Sequence, residues 1–441
     1  MWPWYLFSIT FLYFQLFLDD VVAEYRDIYL IENQVRDMAQ NILKLSLKRR
    51  KKKQISSSSD AHQRRFSGSF AEGGFSAAWF KPNSNLEDLM LDFDVDFETT
   101  VGKIDFPQKN HCIINNGQGF ALVRYDSERC KLNSKHDNKI YLRDEVVSKE
   151  GFLMPHPLKS YLLGLKYKNN SRSKFFISTS FLRKWLNDIS IERFDEKVTK
   201  ATYQQIYLLK IPMQFQLLVT LDYGITIQLD WQTDYIKRWI QRKRQWPDIS
   251  LMQRELNTTY LIAKCPTEEK SKPDSKLFRY SFAHIEQKII SMQNEPQRVI
   301  YYIAKSIFYK HVKSLDPEKV QSFLLKNTML WICENIPPTN DTWNYLRVLE
   351  GVGLLLERLE ADIEKGFMSY YFIPEINVIG FYPEHLLVEM AKVVRKIRLD
   401  IRLYAEETYS DLPKDVLSFL VERLTVLNRN ADIVMAIRYY L

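Results

Sequence analysis

The chain has 441 residues, 46% hydrophobic and 26% charged, with a formal net charge of +8 at pH 7. This composition excludes a disordered or fibrous chain, and the length allows a large core spread over two or three domains or one two-lobed unit. Four cysteines, Cys112, Cys130, Cys265 and Cys333, lie too far apart for a zinc site of close pairs and demand no disulfide framework, so reduced thiols in a cytosolic compartment are expected.

Residues 1–18 (MWPWYLFSITFLYFQLFL) carry no charge and just reach the length of a membrane helix. They lack the basic start and cleavage site of a secretory signal. They read either as a membrane anchor or as an apolar helix docked on the protein or a partner. If the segment inserts, the basic run Lys48-Arg49-Arg50-Lys51-Lys52-Lys53 favours a cytoplasmic main body. Between them, from Asp19 to Leu47, apolar residues such as Val22, Tyr25, Ile28, Val35, Met38 and Ile42 recur at helical spacing, which predicts one long amphipathic helix. The basic run reads as a solvated helix end, a sorting signal, or a contact to the phosphates of RNA, DNA or anionic lipid. Ser56-Ser57-Ser58-Ser59 then marks a break before a new domain.

Gly68-Ser69, in the small-residue stretch from Gly68 to Gly74, can form a turn whose backbone N–H groups and Ser69 hydroxyl cradle a phosphate. About twenty residues on, Leu91-Asp92-Phe93-Asp94-Val95-Asp96-Phe97 alternates acidic and apolar residues. As a strand it puts Asp92, Asp94 and Asp96 on one face and Phe93, Val95 and Phe97 on the other. Three carboxylates on one face repel unless a cation lies between them, which suits a hard divalent ion. The other reading is an edge strand with a wetted acidic face. Phe120 to Val123 reads as a further strand and Ser180 to Asp188 as helical. Arg172, Lys174, Arg183, Lys184, Lys197 and Lys200 either extend a positive face or are ordinary surface.

A second alternating strand runs from Val219 to Leu229. Leu221, Tyr223, Ile225, Ile227 and Leu229 share one face, leaving Asp222 on the other beside Gly224. If the two strands are neighbours, Asp222 joins Asp92 and Asp94, and carboxylates from two strands can hold two metal ions for phosphoryl or nucleotidyl transfer. From Trp231 to Met252, tryptophans alternate with Lys237, Arg238, Arg242, Lys243 and Arg244; both nucleic-acid binding and an amphipathic helix produce this pattern. Cys265 to Lys276 reads as a linker between lobes. Helices are predicted over Phe282–Met292, Arg298–Leu315, Lys319–Glu334 and Trp343–Lys365, with a further set after Tyr382.

Taken together, these stretches resemble the cyclic GMP–AMP synthase-like receptors and the related male-abnormal-twenty-one family of nucleotidyltransferase-fold proteins, over roughly residues 60 to 375. The resemblance rests most strongly on Phe278-Arg279-Tyr280-Ser281-Phe282-Ala283-His284-Ile285-Glu286. It rests also on Gly68-Ser69 with Glu72, on Asp92-x-Asp94, on the strand carrying Asp222, and on Ser322 to Lys326 leading into Trp331.

The resemblance implies an α+β, two-lobed nucleotidyltransferase fold: a mixed-sheet core over 61–265, a helical lobe over 277–380, additional helices over 381–441, and a spine helix with its basic linker over 19–60. It implies Asp92, Asp94 and Asp222 as metal-binding catalytic carboxylates for two Mg2+ (or Mn2+) ions, and Gly68 and Ser69 as the phosphate-holding loop. Arg279, Ser281 and Glu286 match base-contacting positions, Lys305 a lysine at the donor nucleotide, and Ser322 with Phe323 a Ser-Tyr pair that meets phosphate and stacks on a base. Phe323 keeps the stacking face without the hydroxyl. The implied activity is synthesis of a cyclic dinucleotide from ATP and GTP by an innate immune receptor that senses a ligand such as double-stranded RNA on a basic surface. The alternative is a catalytically inactive, membrane-associated relative acting as an adaptor. The segment from Ile290 through Met292-Gln293-Asn294-Glu295-Pro296 lacks the His/Cys insertion of the vertebrate DNA sensor, so no zinc is expected.

Overall fold

A computed structural model describes residues 63–67, 78–80, 89–104, 112–115, 119–125, 146–158, 172–178, 215–263, 276–317, 319–344 and 347–409. The hydrophobic segment 1–18, the expected spine helix, the basic run, the Gly68-Ser69 turn, the 180–188 helix and the chain after 409 lie outside the described residues. Among the described residues no helix is long and apolar enough to cross a membrane.

Both alternating stretches are strands, and they are neighbours. The sheet comprises β1 (Gln63–Ser67), β2 (Ala78–Phe80), β3 (Leu89–Ile104), β4 (Ile113–Asn115), β5 (Phe120–Val123), β6 (Arg172–Ser178), β7 (Phe215–Leu229), β8 (Thr259–Ile262) and β9 (Leu277–Ser281). Its order is β1-β3-β7-β8-β9-β5-β4, with β2 along β3 and β6 along β7. The β3–β7 pair is parallel and the rest are antiparallel. The stretch from Cys265 to Lys276, read from sequence as a linker between lobes, instead falls between β8 and β9, two adjacent strands of the sheet.

The period of two sorts this sheet into an apolar and a polar face. Ile225, Ile227, Leu229, Leu261, Phe278 and Tyr280 are buried on the apolar side. Helix α1 (Asp234–Gln241) packs there through Tyr235, Ile236 and Trp239, with Thr233 capping its first turn. The Tyr235 ring meets Tyr280 edge-on at 5.2 Å, and its hydroxyl donates to Asn115 Oδ1 at 3.1 Å.

After the short α2 (Gln253–Leu256) and β9, the helical lobe begins with α3 (Ala283–Ser291) and α4 (Glu295–Ile307). The turn between them is closed by a capping box: Asn294 Oδ1 accepts from Gln297 N (2.9 Å), and Gln297 Oε1 accepts from Asn294 N (3.1 Å). The helix predicted to reach Leu315 changes character at Phe308, passing into a π-helical turn (Phe308–Val312) and a tight 3-10 turn (Lys313–Leu315). The next helix, predicted from Lys319, starts at Phe323 as α5 (Phe323–Asn335). Tyr382 is the reason: its hydroxyl donates to Lys319 O (3.0 Å) and accepts from Gln321 N (3.3 Å), holding the preceding residues in a turn.

Helices α6 (Val348–Glu364), α7 (Glu384–Leu399) and α8 (Ile401–Tyr409) complete the described lobe. Gly351 lets α6 approach α4 closely, since a Cβ there would lie 2.9 Å from Ile300 Cγ1. Gly351→Ala is therefore expected to cost about 1–3 kcal/mol in urea unfolding, and Ile300→Val should recover part of it.

Helices α6 and α7 are tied by buried Glu360, which accepts from Arg395 Nε (2.6 Å) and Arg398 Nε (2.7 Å). Burial works against ionisation, but the two guanidinium groups prevail and hold this carboxyl below the usual range. A depressed carboxyl contributes stability that is complete above about pH 4.3 and is lost as pH falls through its folded value. Glu360→Gln should thus cost about 2 kcal/mol near neutrality. The difference from wild type should close as unfolding is followed into acid.

Cys112 is disulfide-bonded, which corrects the expectation of reduced thiols; its partner lies outside the described residues. Cysteine spacing alone does not reveal which pairs folding brings together. Cys333 is free and buried, and burial pushes its thiol up to about 12, so it is inert as a nucleophile.

Candidate active site

Strand register places the acidic positions. In the parallel β3–β7 ladder Asp94 lies opposite Thr220 and Asp96 opposite Asp222. The face these positions occupy follows from the described ends of the same strands. Thr100 and Thr226 are in register and their hydroxyls lie 3.0 Å apart. Glu98 is opposite Gly224, and its Cγ is 3.4 Å from where a Gly224 Cβ would stand. By alternation, Asp92, Asp94, Asp96 and Glu98 on β3 and Asp222 on β7 occupy one face. Sequence reasoning joined Asp222 to Asp92 and Asp94; the ladder puts Asp96 directly beside it, a residue the proposed ligand set omitted.

The row continues across the sheet. Thr226 pairs with Ile262 and Ile262 with Arg279, so Arg279 belongs to the acidic face, as does Ser281 two residues on. On the other stretch of the same β7 edge, Arg172 lies opposite Asp222 and Lys174 opposite Thr220. These two basic residues therefore sit in register with the acids. An all-oxygen set of carboxylate positions on one polar face fits a hard divalent ion such as magnesium or manganese. Among the described side chains no group of three or more His, Cys, Asp or Glu is placed to hold a metal.

The chain leaves β9 at Ser281 and turns at Phe282 into α3, which carries Glu286 in its first turn. Glu286 is 5% exposed and accepts from Lys326 Nζ at 2.6 Å. The Tyr370 hydroxyl also bonds to it. Burial and the Glu286 charge push this phenol well above its ordinary value, opposed by Arg279 and Lys326 nearby. Phe323 lies beside this group, 5.9 Å from the Tyr370 ring centroid and 5.5 Å beneath Lys326 Nζ. The structure thus gathers Arg279, Glu286 and Phe323 in one cluster. Ser322 lies 3.4 Å from the Tyr309 hydroxyl, and Lys305 Nζ is 5.7 Å from that ring, so Lys305 and Ser322 converge on Tyr309. Gly68 and Ser69 lie outside the described residues.

Sequence reasoning gave no role to Tyr370, Lys326 or Tyr309. The available signal for Tyr370 was the run Tyr370-Tyr371-Phe372 between two helical patterns, aromatics with no helical period of their own. Asn327 holds this run in place by donating to Ser369 O (2.9 Å) and accepting from Tyr371 N (2.9 Å). Phe372 stacks on Phe282 at 4.7 Å, so the run presses against the β9–α3 junction.

Two arginines of the basic, tryptophan-rich stretch after β7, Arg242 and Arg244, turn inward. Arg242 donates to Glu334 Oε2 (2.6 Å) and Tyr371 O (2.7 Å), with its guanidinium 4.3 Å over Trp331. Arg244 lies 4.0 Å over Trp239 and 3.9 Å from the same carboxylate. Arg238 pairs with Glu375 at 2.8 Å. Arg242 and Arg244 fasten the sheet lobe to the helical lobe, while Lys237, Arg238 and Lys243 remain exposed.

Residues 92–292 match the Mab-21 protein nucleotidyltransferase domain, and residues 296–396 the Mab-21 protein HhH/H2TH-like domain. A cyclic GMP-AMP synthase-like receptor from Magallana gigas is 24% identical over 259 residues, which are 58% of this chain and 41% of that protein. The chain therefore matches well under half the length of that relative. The two domain matches meet at the capped turn around Asn294, where the sheet lobe and α3 give way to α4. With both domains present in order on an α+β two-lobed frame, the chain belongs to the Mab-21 family of nucleotidyltransferase-fold proteins and resembles the cyclic GMP-AMP synthase-like receptors.

Proposed function

We propose that this protein is a metal-dependent nucleotidyltransferase that joins ATP and GTP, or two like nucleotides, into a cyclic dinucleotide after sensing a ligand such as double-stranded RNA. The observation that carries the reading is the β3–β7 register, which brings acidic positions from two strands to the face that also bears Arg279 and Ser281. Asp92, Asp94 and Asp222 would hold two magnesium or manganese ions, which when bound neutralise the triphosphate and help to activate the attacking hydroxyl. Gly68 and Ser69 would cradle phosphate, and Lys305 with Ser322 would bind the donor's phosphates. Phe323 would stack on a base whose edge meets Arg279, Ser281 and Glu286. Holding both nucleotides in one orientation converts an encounter between two substrates into an internal attack.

The test is incubation of the full chain with labelled ATP and GTP, magnesium or manganese, and double-stranded RNA. A cyclic dinucleotide is expected; its absence with every metal and with RNA present would overturn the reading.

One observation favours a second reading, a membrane-associated adaptor without catalysis. Glu286, assigned to a base, is already engaged by Lys326 and Tyr370. On that reading ATP with magnesium leaves the melting temperature unchanged. The enzyme reading expects stabilisation of about 2.7 kcal/mol at a hundred times the dissociation constant.

A further inference from the structure

The backbone around Tyr370 is pinned by side chains from both lobes. Ser369 O accepts from Asn327 Nδ2 (2.9 Å) and from Trp331 Nε1 (2.9 Å), and Tyr370 N donates to Ile376 O (2.9 Å). Tyr371 N donates to Asn327 Oδ1 (2.9 Å), and Tyr371 O accepts from Arg242 Nη1 (2.7 Å). Asn327 is 1% exposed and spends both halves of its amide on this one stretch of chain. Asn327 and Trp331 belong to α5, whereas Arg242 comes from the end of α1.

With the main chain held, adjacent side chains go to different places. Tyr371 joins the ionic cluster, 4.8 Å from the Arg242 guanidinium and edge-on to Trp331 at 5.3 Å. Tyr370 is directed toward α3 instead. Its ring lies 6.1 Å from Phe282, 5.9 Å from Phe323 and 5.9 Å from Phe372, and its hydroxyl donates to Glu286. Glu286 has a second donor in Lys326 of α5. Two donors arriving from different segments fix the orientation of a carboxylate on a flexible side chain. They also leave it acceptor capacity, since its two oxygens offer about four lone-pair sites.

We propose that Tyr370 is a positioning residue for Glu286: its hydroxyl, placed by Asn327, Trp331 and Arg242, aims the carboxylate at the N–H groups of a purine base. The proposal rests on the reading above that Glu286 meets a base. On it, the contacts already made by Glu286 orient this side chain for a base rather than exclude one.

The experiment is a double-mutant cycle on the full chain. Calorimetry measures binding of ATP and of GTP in magnesium, with inorganic tripolyphosphate as the control for the phosphates. Tyr370→Phe keeps the ring and its packing and removes only the hydroxyl. It is expected to weaken binding of the nucleotide whose base meets Glu286 about tenfold and to leave tripolyphosphate binding unchanged. In a Glu286→Ala background the same substitution should change binding less than about twofold, because the tyrosine then has no carboxylate to aim. A purely structural role predicts equal losses in both backgrounds and a matching loss of tripolyphosphate binding. The proposal is overturned by that result, by a Tyr370→Phe variant that binds both nucleotides as tightly as wild type, or by a wild type that binds neither. Should Glu286→Ala fail to fold, the contrast between nucleotide and tripolyphosphate in Tyr370→Phe decides alone. A non-additive cycle in a protein that makes no dinucleotide would leave the positioning role standing and remove the synthase reading. Product formation with nucleotide binding indifferent to Tyr370→Phe would do the reverse.

Discussion

Glu334→Ala is expected to destabilise the protein by about 3–5 kcal/mol, the cost of removing one partner from a buried ionic cluster. The Glu334 side chain is 4% exposed, and those of Arg244 and Arg242 are 5% and 19% exposed. The carboxylate is the counter-charge for both guanidinium groups, so its loss strands two cations among Trp239, Trp331 and Tyr371. Burial first, and the neighbouring Arg242 charge after it, draw Arg244 below the ordinary guanidinium value, with Tyr371 and Glu334 opposing them, the signature of a charge sustained by its neighbours. Because the arginines follow α1 and Glu334 ends α5, the cluster joins the two lobes and the whole unfolding transition should move. Urea denaturation measures it. Replacing Arg242, Arg244 and Glu334 together with methionine should recover most of the loss, since apolar packing can replace a buried ionic cluster without the desolvation cost. A loss below about 1 kcal/mol for Glu334→Ala would mean that water reaches the cluster and screens it.

Asp222→Asn should lower dinucleotide synthesis by roughly 10³-fold, corresponding to about 4 kcal/mol of lost transition-state stabilisation. The informative companion is Asp96→Asn. If Asp92, Asp94 and Asp222 alone hold the ions, Asp96→Asn changes the rate little. The register puts Asp96 next to Asp222, with Asp94 two residues and Asp92 four residues back along β3. We therefore expect Asp96→Asn to cost at least tenfold and to raise the magnesium concentration needed for half-maximal rate. Initial rates across a magnesium titration separate the two outcomes. An unchanged titration in Asp96→Asn would return the ligand set to the three residues inferred from sequence.

The candidate site was partly legible because its parts are local patterns. Asp92-x-Asp94 and the Asp222 strand showed as alternation, and Phe278 to Glu286 as a contiguous motif spanning β9 and the start of α3. The basic stretch after β7 left two readings open, nucleic-acid binding and an amphipathic helix, for an equally physical reason. An arginine on a tryptophan-rich helix has the same spacing whether it faces a nucleic acid or a buried carboxylate, and Glu334 lies 92 residues from Arg242.

From the sequence alone came the strand faces, the helical lobe and the family resemblance, because periods of two and 3.6 are properties of neighbouring residues. The end of α4 and the start of α5 were not readable in that way. They depend on a π turn braced by α8 and on a Tyr382 hydroxyl acting across 63 residues. The tertiary structure likewise decided that Asp96 rather than Asp94 is opposite Asp222, that Glu286 is met by Lys326 and Tyr370, and that Arg242 and Arg244 serve the core. Each of these is a pairing between distant segments, and a pairing has a register and a partner that no local pattern contains.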